Sequence, residues 1–158
     1  VDRMHAYASL TAQTPMRIAA WEHAVTRWEF LDFMERGGLQ VMQPYMTTCG
    51  GLTEARRIVE LAQARGAIVC PGNWSTHVLG AATVHLAAWS PITPFIESAP
   101  SEVYGSPLRK ALQDIGLPVV DGAIALPTAA GIGIDLPEEL VEEFLVAADK
   151  GWRYHEEQ

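Results

Sequence analysis

The chain has 158 residues, which is the usual length of one domain, and it carries 11 Lys and Arg against 19 Asp and Glu. The resulting net charge of −8 argues against a nucleic-acid backbone as partner, because no basic surplus exists to replace counterions. Hydrophobic residues make up 49% of the chain and charged residues 19%, a composition that excludes disorder. The sequence shows no apolar run of about 18 residues, no apolar signal-peptide core and no metal-binding cysteine spacing, so we expect a cytoplasmic protein.

Short apolar runs alternate with amphipathic helical patterns through residues 1–98. The predicted strands are Met16–Ala20, Leu39–Gln43, Ala67–Cys70 and Pro94–Glu97, and the predicted helices between them are Thr26–Arg36, Thr53–Arg65 and Thr76–Trp89. Strands that alternate with helices of about 10 to 15 residues predict a parallel sheet with helical crossovers. The fold class is therefore α/β.

The pattern changes in residues 99–158. A short helix over Ser106–Gln113 comes first, then a hairpin over Val119–Leu126 that turns at Asp121 and Gly122, and then a helix over Pro137–Ala148. We treat this part as a segment distinct from the four βα units before it. A small flavodoxin-like binding domain is an alternative, but no glycine-rich phosphate loop follows any predicted strand.

Polar side chains follow the predicted strands. Glu22 and His23 come after the first strand, Tyr45 after the second and Asn73 after the third, and Glu97 ends the fourth. The carboxyl ends of parallel strands share one rim, where ligands bind, so we expect these residues to lie together. Carboxylates at such a rim suit Mg²⁺ binding or general acid–base chemistry.

Three runs of the sequence carry a family resemblance, namely LTAQTPMRIAAWEHAVTRWEF, GGLQVMQPYMTTCGGLTEARRIVELAQARG and VCPGNWSTHVLGAATVHLAAWSPITPFIE. In order and spacing they resemble the C-terminal half of an enolase-superfamily enzyme of the mandelate racemase/muconate lactonizing type, most similar to the acid-sugar dehydratases. The tail GLPVVDGAIALPTAAGIGIDLPEEL resembles the segment that returns from the barrel to the capping domain. The resemblance implies strands five to eight of a modified (β/α)₈ barrel, without the capping domain and the first four strands.

The resemblance also implies roles for single positions. Glu22 matches the metal-binding carboxylate at the end of strand five, with Trp21 in place of the usual Gly. His23 matches the Gly-Glu-His of the acid-sugar dehydratases, whose His reaches substrate or acts as an acid. Glu97 matches the eighth-strand Glu that helps to stabilise the enolate.

Two positions depart from the family pattern. Tyr45 stands where strand six usually carries the Asp that orients a catalytic His, and Gly72 stands where strand seven carries that His. Asn73 and Ser75, close to Gly72, are candidate substrate contacts. The other metal carboxylates belong to the missing half, so the Mg²⁺ that the family implies has only Glu22 as a matched ligand here.

Two accounts of function remain open. In the first, the chain is a fragment or a split piece of a Mg²⁺-dependent sugar-acid dehydratase or racemase. In the second, it is a truncated, non-catalytic half-barrel that serves assembly or binding. The loss of both dyad positions favours the second account or an altered chemistry. The expected partner is a second copy or a complementary N-terminal half, with a small acid-sugar substrate if the protein is active, and neither nucleic acid nor membrane.

Overall fold

Three parallel strands lie side by side in the computed structural model, with a helix following each of them. The structure describes residues 3–100, 103 and 105–144. The strands are β1 (Ala19–Ala20), β2 (Val41–Met42) and β3 (Ile68–Val69), and the helices are α1 (Met4–Gln13), α2 (Arg27–Arg36), α3 (Gly51–Ala64) and α4 (His77–Trp89). The sheet order is β1–β2–β3, with Ala19 opposite Val41 and Met42 opposite Val69. This α/β arrangement is a partial (β/α)₈ barrel, as predicted.

Helix α3 shows why the sequence folds in this way. Its buried positions recur at helical spacing along one face, and they are Ala55, Ile58, Val59 and Ala62. Arg56, Arg57 and Glu60 are exposed on its other side. The helix starts after Gly50, and Gly66 follows its end. The φ angles of these two residues, 101° and 68°, lie in the left-handed region that favours glycine.

The core lies between the sheet and the helices α2 and α3. Phe30 and Phe33 of α2 are fully buried, as are Met42 of β2 and Val69 of β3. Burial of each of these side chains contributes about 1.5–3 kcal/mol. The strands are therefore held by the helices that cover one face of the sheet.

The predicted fourth strand, Pro94–Glu97, is wrong, because the structure contains no strand there. The chain after α4 nevertheless runs beside β3, since the Val69 N–H donates to the Ile92 carbonyl (3.0 Å) and the Glu97 N–H donates to the Pro71 carbonyl (3.1 Å). Pro94 has no N–H to donate, and within the described residues no further strand lies outside this segment to pair with it. Glu97 still lies at the end of β3.

The helix α1 was not predicted, because its Ala-rich sequence buries none of its residues and shows no clear apolar face.

From here on, the tail means the described residues after position 99. In the tail, α5 (Pro107–Ala111) and a 3₁₀ turn (Gln113–Ile115) precede the hairpin of β4 (Val119–Val120) and β5 (Ala123–Ile124), and α6 (Glu138–Phe144) follows. The hairpin is confirmed, with Asp121 and Gly122 at φ 51° and 76°, as a tight hairpin turn requires.

The last part of the predicted C-terminal helix, residues 145–148, lies outside the described residues. In the described part of the chain, no helix is long and apolar enough to cross a membrane.

Candidate functional site

A cavity of about 430 Å³ opens at the rim where the strands end, and we call it the rim cavity. Its lining residues are Glu22, His23, Tyr45, Thr48, Trp74 and Glu97. They come from the segments after β1, β2 and β3 and from the segment beside β3. Four of them, Glu22, His23, Tyr45 and Glu97, were expected on this rim from the sequence, and the structure brings them together.

The Glu97 carboxylate is held from two sides. The Gln43 side-chain amide donates to one oxygen at 3.2 Å, and the indole N–H of Trp74 donates to the other at 2.7 Å. These donors follow different strands, so the carboxylate is fixed where both strands end. Sequence reasoning did not find this role of Trp74. The available signal was its position after a strand, because an indole N–H at a half-exposed rim needs an acceptor.

Glu22 and His23 form a more open pair. The His23 Nε2 lies 3.3 Å from a Glu22 carboxylate oxygen, and the side chains are 85% and 46% exposed, respectively. Water competes for both groups at this exposure, so the pair contributes little to stability. Its significance lies in its position, because it places a carboxylate and an imidazole on the lining of the same cavity as Glu97.

Trp21 adopts an unusual backbone conformation immediately before Glu22. Its φ of 83° lies in the left-handed region, which costs a non-glycine residue about 1–2 kcal/mol. The indole ring packs on Phe33 with 3.4 Å between ring centroids. The conformation explains why the resemblance implies Gly at this position, and the ring contact explains how Trp is accommodated.

Gly72 is buried beneath Tyr45 and offers no side chain to the cavity. Asn73 and Ser75, the two predicted substrate contacts, do not line the rim cavity. Asn73 is buried and lines a second cavity of about 800 Å³, together with His77 and Arg109. The carbonyl of Ser75 accepts a hydrogen bond from the Arg109 guanidinium.

Arg109 joins the tail to the rim. Its guanidinium is buried and donates to the carbonyls of Ser75 and Ala99, the latter at 2.7 Å. Ser75 follows Trp74 directly, and Ala99 lies two residues after Glu97. The guanidinium therefore bridges the two segments that carry the Trp74–Glu97 hydrogen bond, and sequence reasoning did not find it.

His77 lies beside this arginine. Burial, together with the positive charge of Arg109, lowers the pKa of His77 below its ordinary value. The neutral ring is thus favoured in the second cavity.

The residues at hand do not fit a Mg²⁺ ion by themselves. In the described ranges no three His, Cys, Asp or Glu side chains group closely enough to hold a metal ion. Mg²⁺ demands near-octahedral oxygen coordination. Glu97 already accepts two hydrogen bonds, and Glu22 pairs with His23. We therefore derive no chemical step through a metal bound to this chain alone.

Comparison with known proteins agrees with the partial-barrel fold. A family model described as enolase C-terminal domain-like matches residues 1–140. The D-galactarolactone cycloisomerase of Agrobacterium fabrum is 28% identical over 148 residues, covering 90% of this chain and 39% of the relative. The D-galactonate dehydratase of Ralstonia nicotianae is 30% identical over 145 residues, covering 90% of this chain and 38% of the relative.

A solved structure is also similar to nearly the whole of this chain, and again the chain covers only part of it. The mandelate racemase/muconate lactonizing enzyme from Jannaschia sp. CCS1 superposes with a TM-score of 0.79 at 29% identity, covering 99% of this chain and 38% of that one. The chain thus spans about two-fifths of the length of the relatives it matches.

Proposed function

The chain belongs to the enolase C-terminal domain-like family, in its mandelate racemase/muconate lactonizing branch, and we propose that it supplies one half of a sugar-acid site whose proton-transfer pair has been replaced. The observation that carries this proposal is the Glu97 carboxylate, fixed by Gln43 and Trp74 in the same cavity as Glu22. The relatives are named for D-galactonate and D-galactarolactone, so sugar acids and their lactones are the proposed substrate class.

The charge of the rim cavity supports a role as part of a larger site. Its described lining holds two carboxylates, Glu22 and Glu97, and neither Lys nor Arg. A sugar acid is an anion, so it needs positive charge from elsewhere, either from a metal ion or from another part of the barrel.

Within such a site the residues of this chain have distinct tasks. Glu97, held from two sides, keeps lone pairs with which to accept hydrogen bonds from substrate hydroxyls. His23 is exposed and is the one imidazole on the described lining, so it is the candidate for moving a proton. Glu22 would supply one Mg²⁺ ligand only if the other ligands came from another part of the barrel.

The second candidate function is a non-catalytic assembly or binding module. Tyr45 and Gly72 favour it, because they stand where the family carries an Asp–His pair: Gly72 has no side chain to move a proton, and Tyr45 has no carboxylate to orient an imidazole. The two candidates make different predictions about turnover.

Turnover of a panel containing D-galactonate and D-galactarolactone tests the proposal, with Mg²⁺ present and products followed by NMR. We expect no turnover by the 158-residue chain alone. We expect turnover when a complementary barrel half is added, and its loss in Glu22→Gln. The matched control is Glu60→Gln, an exposed carboxylate on α3 outside the cavity, which should leave the rate unchanged.

Turnover by the chain alone that Glu22→Gln abolishes would contradict the proposal. Absence of turnover with every complementary half, together with retained ligand binding, would favour the binding module.

A further inference from the structure

Gly72 has no backbone reason to be glycine. Unlike Gly50 or Gly66, it does not adopt a positive φ, so its backbone conformation is open to any residue. It is buried, and its N–H donates to the Pro44 carbonyl at 3.2 Å, which fixes the segment after β3 against the segment after β2. The reason for a glycine must therefore lie in its surroundings.

Those surroundings are the ring of Tyr45. A Cβ atom built on Gly72 would lie 1.8 Å from Cε2 of Tyr45, 2.3 Å from Cζ and 2.6 Å from Cδ2. Real Cβ contacts are essentially never shorter than 3.0 Å. The ring therefore fills the space that any side chain at position 72 would need.

The ring is also held in place from its own backbone. The Tyr45 carbonyl accepts hydrogen bonds from the N–H groups of Thr48 (3.0 Å) and Cys49 (2.8 Å) and from the Thr48 hydroxyl (3.1 Å). This turn fixes Cα of Tyr45 directly after β2. The backbone of Tyr45 is thus held in place, and three atoms of its ring lie in the space that a side chain at position 72 would need.

We infer that Tyr45 and Gly72 are one coupled unit that sets the shape of the rim cavity. The ring of Tyr45 is a wall of the cavity and excludes every side chain, including an imidazole, from position 72. Gly72 is required by Tyr45 and not by the backbone. This inference rests on the proposed function for the importance of the cavity, but the coupling itself is independent of turnover.

A double-mutant cycle on melting temperature tests the coupling. Gly72→Ala overpacks the site, so we expect a fall of about 5–10 °C in an otherwise unchanged chain. In a Tyr45→Ala background the ring is gone, and the same Gly72→Ala change should shift the melting temperature by no more than about 1–2 °C. Tyr45→Phe is the matched control: it keeps the ring and loses the hydroxyl, so Gly72→Ala should be as costly there as in the unchanged chain.

Failure of Gly72→Ala to fold would not obscure the result, because recovery of a cooperative melt in Tyr45→Ala/Gly72→Ala then supports the coupling. Equal cost of Gly72→Ala in the unchanged chain and in Tyr45→Ala would overturn it. That outcome would not affect the proposed function. Turnover by the chain alone, in turn, would overturn the proposed function but would not affect the double-mutant cycle.

Phenol binding tests whether Tyr45 is a cavity wall. Removal of the partly buried ring opens a space of phenol shape beside the rim cavity, which phenol itself can refill. We expect millimolar phenol to raise the melting temperature of Tyr45→Ala by several degrees, and to leave Tyr45→Phe and the unchanged chain within about 1 °C. An equal response in all three proteins would contradict the assignment of Tyr45 as the wall.

Discussion

Trp21 combines a backbone cost with a packing gain at one position, directly before Glu22. The left-handed backbone costs about 1–2 kcal/mol, and truncation of a well-packed Trp costs about 3–5 kcal/mol. The indole packs on Phe33, which is itself fully buried. The packing term is the larger of the two, so the tryptophan stabilises the fold even though its backbone is strained.

The substitution Trp21→Gly separates these terms. It relieves the backbone and removes the ring, so we expect a net loss of about 1–4 kcal/mol in the free energy of unfolding, measured by urea denaturation. Trp21→Ala keeps the strain and should lose about 1 kcal/mol more than Trp21→Gly. A Trp21→Gly protein as stable as the unchanged chain would show that the ring contact contributes little.

Between the elements, the strongest polar link joins α2 to α3. One Glu54 carboxylate oxygen accepts from the Arg27 backbone N–H at 3.1 Å, and the other accepts from the guanidinium groups of Arg27 (2.7 Å) and Arg57 (3.2 Å). Burial acts to raise the pKa of Glu54, but these hydrogen bonds and charges outweigh it and hold the pKa below its ordinary value. The carboxylate therefore ties the start of α2 to α3 in its charged form.

This link makes stability depend on pH. A carboxylate whose pKa is lower in the folded state binds fewer protons there, so its contribution is present above its unfolded pKa and is lost as pH falls through the folded one. We expect Glu54→Gln to cost about 1–2 kcal/mol at pH 7 and progressively less as the pH falls below the unfolded pKa, measured by denaturant unfolding.

Glu60→Gln on the same helix is the control for Glu54→Gln. Its exposed pair with Arg56 spans 3.9 Å and should contribute less than about 0.5 kcal/mol at either pH. A cost of Glu54→Gln that stays constant from pH 7 to pH 3 would contradict the ionic account.

Arg109 links the tail to the rim, as Glu54 links α2 to α3. Arg109→Met leaves the carbonyls of Ser75 and Ala99 without this donor, and we expect a loss of about 2–3 kcal/mol in the free energy of unfolding. The Trp74 indole N–H signal in NMR should also move, because the segments that hold the Trp74–Glu97 bond are no longer bridged.

Lys110→Met is the matched control, since Lys110 is exposed on the same short helix. It should leave both the stability and the indole signal unchanged. A destabilised Arg109→Met protein with an unmoved indole signal would show that Arg109 holds the tail without positioning the rim.

The sequence predicts the elements that rest on local pattern and misses the features that rest on tertiary contacts. Helix α3 and the turn at Asp121 rest on local pattern, and both were predicted. The strand-end rule also placed Glu22 and Glu97 on one rim. The fourth strand was predicted wrongly because strand formation needs a neighbour, and the role of Arg109 was missed because its acceptors lie 34 and 10 residues away along the chain.

The sheet has open sides. β1 pairs with β2 alone, and the segment beside β3 has no further described strand outside it. Met16, just before β1, and Phe95, in the outer segment, are each 69% exposed. A closed barrel leaves no such edges, and exposed edges with apolar side chains favour association.

We therefore expect a second copy or a complementary barrel half to cover these edges. Pairing of two copies would bring together six strands and two outer segments, whereas a complementary half would supply the missing strands. Covering about 500 Å² of apolar surface would contribute roughly 12 kcal/mol before the cost of association.

Light scattering of the purified 158-residue chain at micromolar concentration tests the incomplete barrel most directly. If the edges need a partner, the mass will be at least about 35 kDa, twice the 17.3 kDa of one chain. A stable 17.3 kDa monomer with a cooperative melt would contradict this account, because the described half-barrel would then close its own edges.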